Sequence, residues 1–153
     1  MFTQPSRLYR ALAIAEGITW TILIAALIAR AVGVPAIVVT IGGGIHGFVF
    51  LAYGATAILV ALNNRWRIGT AVLAVASAIV PYATIPIEIW LHRTGRLAGD
   101  WRLAETDDPR DRTWFDRLMR WFLRRPWALG ALIAVAVVAL YVILLLVGPP
   151  GGK

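Results

Sequence analysis

Four long apolar runs dominate this sequence and restrict the folds that are open to it. They cover about residues 8–28, 36–62, 68–90 and 127–147. At about 1.5 Å per residue, each run is long enough to cross the hydrocarbon core of a bilayer as a helix. Hydrophobic residues make up 59% of the chain and charged residues 15%, compared with about 25% charged in ordinary globular proteins. The sequence therefore predicts an all-α membrane protein with four transmembrane helices.

The first apolar run has a second interpretation, as a secretory signal peptide. Arg7 and Arg10 would then form its basic start, and residues 29–31 a nominal cleavage site. The run is longer than the apolar region of about 7–15 residues that signal peptides carry, and it contains Glu16. We therefore expect it to be retained as the first span.

The composition and the motifs argue against an enzyme. The chain has no cysteine, which excludes disulfides, thiolate metal sites, a cysteine nucleophile and covalent c-type haem attachment. It contains no GxSxG or HExxH motif and no dense carboxylate cluster. The glycine run 42–44 lies inside an apolar span, which argues against a nucleotide-binding loop. We expect a protein that is not an enzyme and that holds no metal and no cofactor.

The second apolar run carries a row of glycines on one helical stripe. Gly43 and Gly47 form a GxxxG pair, and Gly54 lies one heptad beyond Gly47. Small residues at such spacing allow a second helix to approach closely within a membrane. We expect this stripe to be a helix-packing face. His46 and Tyr53 lie on the neighbouring stripe, which gives the same helix a polar face.

Three ionisable residues lie inside or near the ends of the spans, where charged groups are costly and usually functional. Glu16 could bind a proton or a cation, or be a buried structural carboxyl. His46 could be a proton relay or a quinone or haem contact, or form one interhelical hydrogen bond to Tyr82 or Glu88. Glu88 lies two residues before Trp90, so we expect it to be solvated at the interface. The candidate ligand-binding or proton-binding residues are Glu16, Trp20, His46, Tyr53, Tyr82 and Glu88.

The third apolar run contains Pro81 and Pro86. Proline removes a backbone donor and bends helices. We therefore expect the second half of the third span to be bent, with freed carbonyl groups near Tyr82 and Thr84.

Residues 91–125 form the sizeable polar segment of the chain. Residues 100–112 are charged with mixed sign and predict a solvated loop. Residues 113–125 predict an amphipathic helix that lies in the membrane interface, with Trp and Phe on one side and arginine on the other. Thr113 precedes Asp116 by three positions, which is a weak capping-box pattern. The residues predicted to meet lipid headgroups are Arg117, Arg120, Arg124 and Arg125.

The net charge of +7 comes almost entirely from arginine. Because the arginines flank apolar spans, anionic lipid headgroups are a simpler partner than nucleic acid. Counting Lys and Arg over four spans places the third loop in the cytoplasm and both termini outside. Arg7 and Arg10 argue instead for a cytoplasmic N-terminus. We expect the third loop to be inside.

The first 95 or so residues resemble the YdzA-like small integral membrane proteins of bacteria, a family of unknown function with three predicted spans. The resemblance covers about residues 5–95 and implies a bacterial plasma membrane location and a multi-pass topology, but no activity. The matching positions are Arg7-Leu8-Tyr9-Arg10, Ala15-Glu16-Gly17, Trp20, His46-Gly47, Phe50, Tyr53, Pro81-Tyr82-Ala83-Thr84 and Glu88.

The chain thus divides into three parts on these predictions. Residues 1–95 form a three-span domain, residues 96–125 a charged loop with an interfacial helix, and residues 126–153 a fourth span with a short tail. We expect an accessory or assembly factor of the plasma membrane that binds lipid, a membrane-protein partner or a second copy of itself. The alternative is a proton-coupled small transporter that works as an oligomer, with Glu16 as its coupling carboxyl. A quinone-binding or haem-binding subunit is a third possibility.

Overall fold

The computed structural model describes residues 4–105 and 108–147, and within these ranges the protein is all-helical. This confirms the predicted all-α class. Two short 3₁₀ segments, Ser77–Ile79 and Pro109–Arg112, join the helices. The helices, in chain order, are α1 (Pro5–Ala31), α2 (Ile37–Asn63), α3 (Ile68–Ala76), α4 (Thr84–Arg93), α5 (Trp114–Arg124) and α6 (Pro126–Val147).

Helices α1 and α2 form the central antiparallel pair, and both are long and apolar enough to cross a membrane. The turn between them contains Gly33, whose φ of +99° favours glycine. The two helices approach closely at Gly42, where an added Cβ would lie 3.2 Å from the Cβ of Ala26. Large aliphatic side chains such as Ile28 and Ile41 remain more than half exposed. A pair of helices with an apolar outer surface is suited to a lipid environment.

The third apolar run does not form one continuous helix. Helix α3 gives way to the 3₁₀ turn Ser77–Ile79, and α4 begins only at Thr84. Val80 is extended, as expected for a residue that precedes a proline, and Tyr82 adopts a left-handed φ of +65°. Pro86 lies in the first turn of α4, where the missing N–H costs little. The bend that we expected is therefore a complete interruption of the helix.

Helix α3 starts, and helix α4 finishes, at the same end of the α1–α2 pair. The Trp66 indole and the Asn64 side-chain amide, which follow α2, both donate to the Arg96 carbonyl, which follows α4, at 2.8 and 2.7 Å. The turn between the legs lies deep along the pair, because Trp20 of α1 donates to the Ala78 carbonyl. Residues 68–93 are therefore a helical hairpin that returns to its starting point. The prediction of a third transmembrane helix over residues 68–90 is wrong.

We call the end of the bundle where α1 starts and α2 ends the basic end, since most of the arginines lie there. Helix α6 also starts at this end, at Pro126. It runs antiparallel to α2, since Leu129 lies near Leu59 and Ala136 lies nearer Phe50. The core of the bundle lies between α1, α2 and the hairpin. Its largest fully buried members are Tyr9, Tyr53, Leu91 and Leu97.

Candidate functional site

Glu16 is fully buried where the tip of the hairpin meets α1. The Thr84 hydroxyl lies 3.0 Å from Glu16 Oε2 and 3.0 Å from the Ala13 carbonyl, so its single proton can serve either acceptor. The other carboxylate oxygen, Oε1, is buried without a hydrogen bond to any described residue. A buried carboxyl with a free oxygen has the capacity to take up a proton or a small polar ligand.

His46 belongs to a second polar contact, further along α1. Its Nδ1 lies 3.1 Å from the Thr19 hydroxyl, and that hydroxyl also lies 3.0 Å from the Glu16 carbonyl. The ring of Trp20 packs against the imidazole with 4.4 Å between ring centroids. Among the described residues, His46 bonds to Thr19 and not to Tyr82 or Glu88, which were the expected partners. The sequence analysis assigned no role to Thr19.

Tyr53 lies in a third contact, nearer the basic end. Its hydroxyl is 2.6 Å from that of Tyr9 and 3.0 Å from both Ser77 Oγ and the Ala74 carbonyl. This group joins α1, α2 and α3 at one buried point. This group is separate from that of Glu16, since the two side chains bond to different partners.

The remaining two candidates lie apart from these contacts. Tyr82 is 44% exposed and its hydroxyl is 3.3 Å from that of Thr21. Glu88 is only 6% exposed, so the expectation that it is solvated at the interface is wrong. The hairpin explains this burial, because α4 packs along α1 instead of leading out of the bilayer.

The predicted glycine stripe on α2 is half-buried, and its Gly54 end lines a groove that Leu129 and Ile133 of α6 also line. No described atom lies within 4 Å of the position that a Cβ would occupy at Gly47 or Gly54. A Cβ at Gly43 would meet only the tip of Leu23, at 4.0 Å. The close contact inside the chain uses Gly42 instead. No described part of the chain packs closely against the stripe at Gly47, whereas Gly54 borders the groove between α2 and α6.

The segment predicted as a solvated loop is folded onto the end of α2. Arg102 donates from Nε to the Asn63 carbonyl and from Nη2 to the Leu62 carbonyl, both at 2.7 Å. These carbonyls belong to the last turn of α2, where i+4 helical donors are lacking, although the Leu62 carbonyl also accepts from the Arg65 N–H at 3.3 Å. Arg102 also pairs with Asp111 at 2.7 Å and with Asp116 at 2.9 Å. The loop is a structured cap, and the prediction of a solvated loop is wrong here.

Arg65 completes this cap from the other side. It pairs with Asp108 and, at 2.6 Å, with Asp111, which is 1% exposed. The arginines and their carboxylates are separated by up to 46 positions along the chain. Sequence patterns do not reveal such distant pairs, and the mixed charge of residues 100–112 was the available signal.

Helix α5 begins as the capping pattern predicted. The Thr113 hydroxyl accepts from the Asp116 N–H at 3.3 Å and donates to the Asp116 carboxylate at 2.7 Å. The placement of Arg120 differs from its prediction as a headgroup residue. It is 6% exposed and donates to the Asp111 carbonyl at 2.6 Å, so it points into the protein. Arg117 is exposed, as the headgroup hypothesis requires.

Arg124 and Arg125, which were also predicted to meet lipid headgroups, make contacts at the protein surface. Arg124 donates to the Leu103 carbonyl at 2.7 Å in an exposed bond. The Arg125 guanidinium lies 5.4 Å from the centre of the Trp121 ring. Neither contact buries the charge, so both side chains stay accessible at the surface of the cap.

Taken together, two helices of membrane length, an apolar outer surface and a buried polar interior are typical of a helical membrane protein. The chain belongs to the family described as "Domain of unknown function (DUF3817)", which matches residues 6–93. This range agrees with the predicted extent of residues 5–95 and ends where α4 ends. It confirms an uncharacterised family over this region, and does not confirm the YdzA-like name.

A comparison with curated proteins finds a similar protein in a bacterium. The Streptomyces coelicolor protein named "Putative membrane protein SCO5905" is 40% identical over 100 residues, which cover 62% of this chain and 12% of that protein. The chain therefore spans only a small part of the length of this relative. No solved structure matches the chain.

Proposed function

We propose that this protein is a non-enzymatic accessory factor of the plasma membrane that binds a transmembrane helix of a partner through the glycine face of α2. The partner is a second copy of the chain or another membrane protein. The family carries no described activity, so the proposal depends on the arrangement of the helices. Two points support it: the membrane orientation and the open glycine face.

We propose a membrane arrangement of three crossings, α1, α2 and α6, with the α3–α4 hairpin re-entering from the basic end. Non-helical backbone such as residues 77–83 is tolerated at membrane depth where it is buried in protein. Thirteen of the fifteen Lys and Arg residues lie in segments at the basic end, and Arg30 lies at the other. The positive-inside rule then places the basic end in the cytoplasm.

This arrangement removes the conflict between the two topology signals in the sequence. Arg7 and Arg10 favour a cytoplasmic N-terminus, and the eight arginines after α4 favour a cytoplasmic third loop. With four crossings these requirements oppose each other. With the hairpin, both segments are at the same end and both signals agree.

The single observation that carries the proposed function is the open space at Gly47. Glycine is a poor residue for the interior of a helix, by about 1 kcal/mol relative to alanine. Inside the chain Gly47 gains nothing from being glycine, because no described atom lies within 4 Å of its Cβ position. Close approach of another helix gives it a use, because van der Waals packing drives helix association in lipid.

The experiment is co-purification of the full chain in a mild detergent, with mass spectrometry of the complex and a measurement of its mass. Gly47→Leu should remove the partner or reduce the oligomer to a monomer, while the thermal stability of the monomer stays unchanged. Ile45→Phe is the matched control, since Ile45 is exposed and lies about 160° around the helix from Gly47. If Gly47→Leu retains its partner at wild-type yield, the proposal is refuted.

Proton-coupled transport is the second candidate, and one observation favours it. Glu16 is fully buried beside an interrupted helix and has one oxygen without a hydrogen bond to a described residue. Buried carboxyls in membranes often mark proton or ion pathways. In proteoliposomes, Glu16→Gln should abolish proton-coupled uptake by a homo-oligomer. If neither the wild-type protein nor the Glu16→Gln variant transports protons in this assay, this function is excluded.

A further inference from the structure

An open cavity of about 770 Å³ lies at the basic end, between the end of α2, the start of α3 and the segment after α4. Four arginines and one aspartate line it, so its net charge is positive. The lining side chains that matter below are Arg65, Trp66, Arg67, Thr70, Arg96 and Arg102. This cavity is separate from the glycine face of α2 and from the contacts of Glu16.

The four arginines of the cavity divide into two pairs. Arg65 and Arg102 are held by the carboxylates of the cap, and they form a fixed inner wall. Arg67 and Arg96 have no ion pair among the described residues. The Arg96 guanidinium lies over the ring of Trp90, 4.5 Å from its centre. Such stacking orients a guanidinium and leaves its N–H groups free to bind an anion.

The start of α3 borders the same cavity, since Arg67 and Thr70 line it. Arg67 is the N-cap residue and supplies no side-chain cap to the helix. The N–H groups of Thr70 and Ala71 bond to the Arg67 carbonyl, so the earlier N–H groups, at Ile68 and Gly69, are the open ones of the first turn. The start of a helix carries a partial positive charge, which favours anions.

The surroundings place this cavity at headgroup depth. Trp66 and Trp90 lie beside it, and tryptophan is enriched at the membrane–water interface. Under the orientation proposed above, the cavity opens to the cytoplasmic leaflet, which carries anionic lipid, and basic pockets there bind lipid headgroups. We infer that this cavity binds a phosphate group, with Arg67 and Arg96 as its principal ligands, and that the source of the phosphate is an anionic lipid.

The test is native mass spectrometry of the full chain in detergent with added phosphatidylglycerol or phosphatidylcholine. The wild-type protein should retain phosphatidylglycerol selectively, and the double variant Arg67→Gln/Arg96→Gln should bind it at least tenfold more weakly. This estimate assumes two charge-assisted hydrogen bonds. The matched control is Arg10→Gln/Arg112→Gln, which removes the same charge from exposed positions outside the cavity. The control should bind as the wild type does.

Two further measurements identify the source of the phosphate and control for misfolding. Inorganic phosphate at millimolar concentration should not displace the lipid; if it does so fully, the site binds free phosphate and the lipid assignment is wrong. The single variant Arg67→Gln changes an exposed side chain and should fold normally while losing affinity. Equal binding by the double variant and its control, or equal retention of both lipids, would overturn the inference.

Discussion

The Thr84 hydroxyl lies 3.0 Å from the Glu16 carboxylate, although the two residues are 68 positions apart. This contact fastens the tip of the α3–α4 hairpin to the middle of α1. Thr84 starts α4 directly after the interrupted turn, and both residues are fully buried. The hydrogen bond therefore serves two purposes: it holds the hairpin in place, and it gives a buried carboxyl one of its few donors.

Replacement of Thr84 by valine should destabilise the hairpin. The change keeps the shape of the side chain but removes the donor to Glu16, so the free energy of unfolding should fall by about 1–2 kcal/mol. The melting temperature in detergent measures this. Thr94→Val is the control, since the Thr94 hydroxyl is exposed and bonds only within its own helix end. An equal loss in both variants would contradict the role given to Thr84.

The pair formed by Tyr9 and Tyr53 predicts energetic coupling. Tyr53→Phe should lower the free energy of unfolding by about 1–3 kcal/mol, because it leaves the Tyr9 hydroxyl buried without a partner. The double variant Tyr9→Phe/Tyr53→Phe should lose less than the sum of the two single changes. Strict additivity would show that the 2.6 Å contact contributes nothing.

Much of the local structure was predictable from the sequence, and the long-range arrangement was not. Runs of apolar residues predicted α1 and α2 within a few positions, and the spacing of Thr113 and Asp116 predicted the start of α5. Those features depend on neighbouring residues. The hairpin at residues 68–93 depends on contacts with α1 and α2, and hydropathy alone does not distinguish a crossing from a return.

The candidate site shows the same division. Burial of Glu16 and His46 was predicted because charged groups in apolar runs avoid lipid. Their partners, Thr84 and Thr19, were not assigned, since pairing requires the relative rotation of two helices. The cap formed by Arg102 was missed for a related reason, because a run of mixed charge is as typical of solvated loops as of ion-pair networks.

Arg102 should be the most important arginine for stability. Arg102→Ala removes two bonds to the end of α2 and leaves the buried Asp111 with one fewer cation, so a loss of about 2–4 kcal/mol is expected. Arg112→Ala is the control. Its guanidinium is 74% exposed and lies 3.7 Å from Glu105, and surface pairs of this kind contribute little. A similar melting temperature for the two variants would show that the cap does not stabilise α2.

The course of residues 68–93 can be tested by labelling single cysteines, because the chain has no cysteine of its own. Val32, Arg67 and Arg112 are all exposed and mark the turn after α1, the start of the hairpin and the segment after it. A membrane-impermeant maleimide should label Val32→Cys in intact cells, and should label Arg67→Cys and Arg112→Cys only after permeabilisation. Four crossings would place the positions at Arg67 and Arg112 on opposite sides. Labelling of just one of these two positions in intact cells would therefore refute the re-entrant hairpin. Labelling of both in intact cells would be consistent with the hairpin but would place the basic end outside the cell.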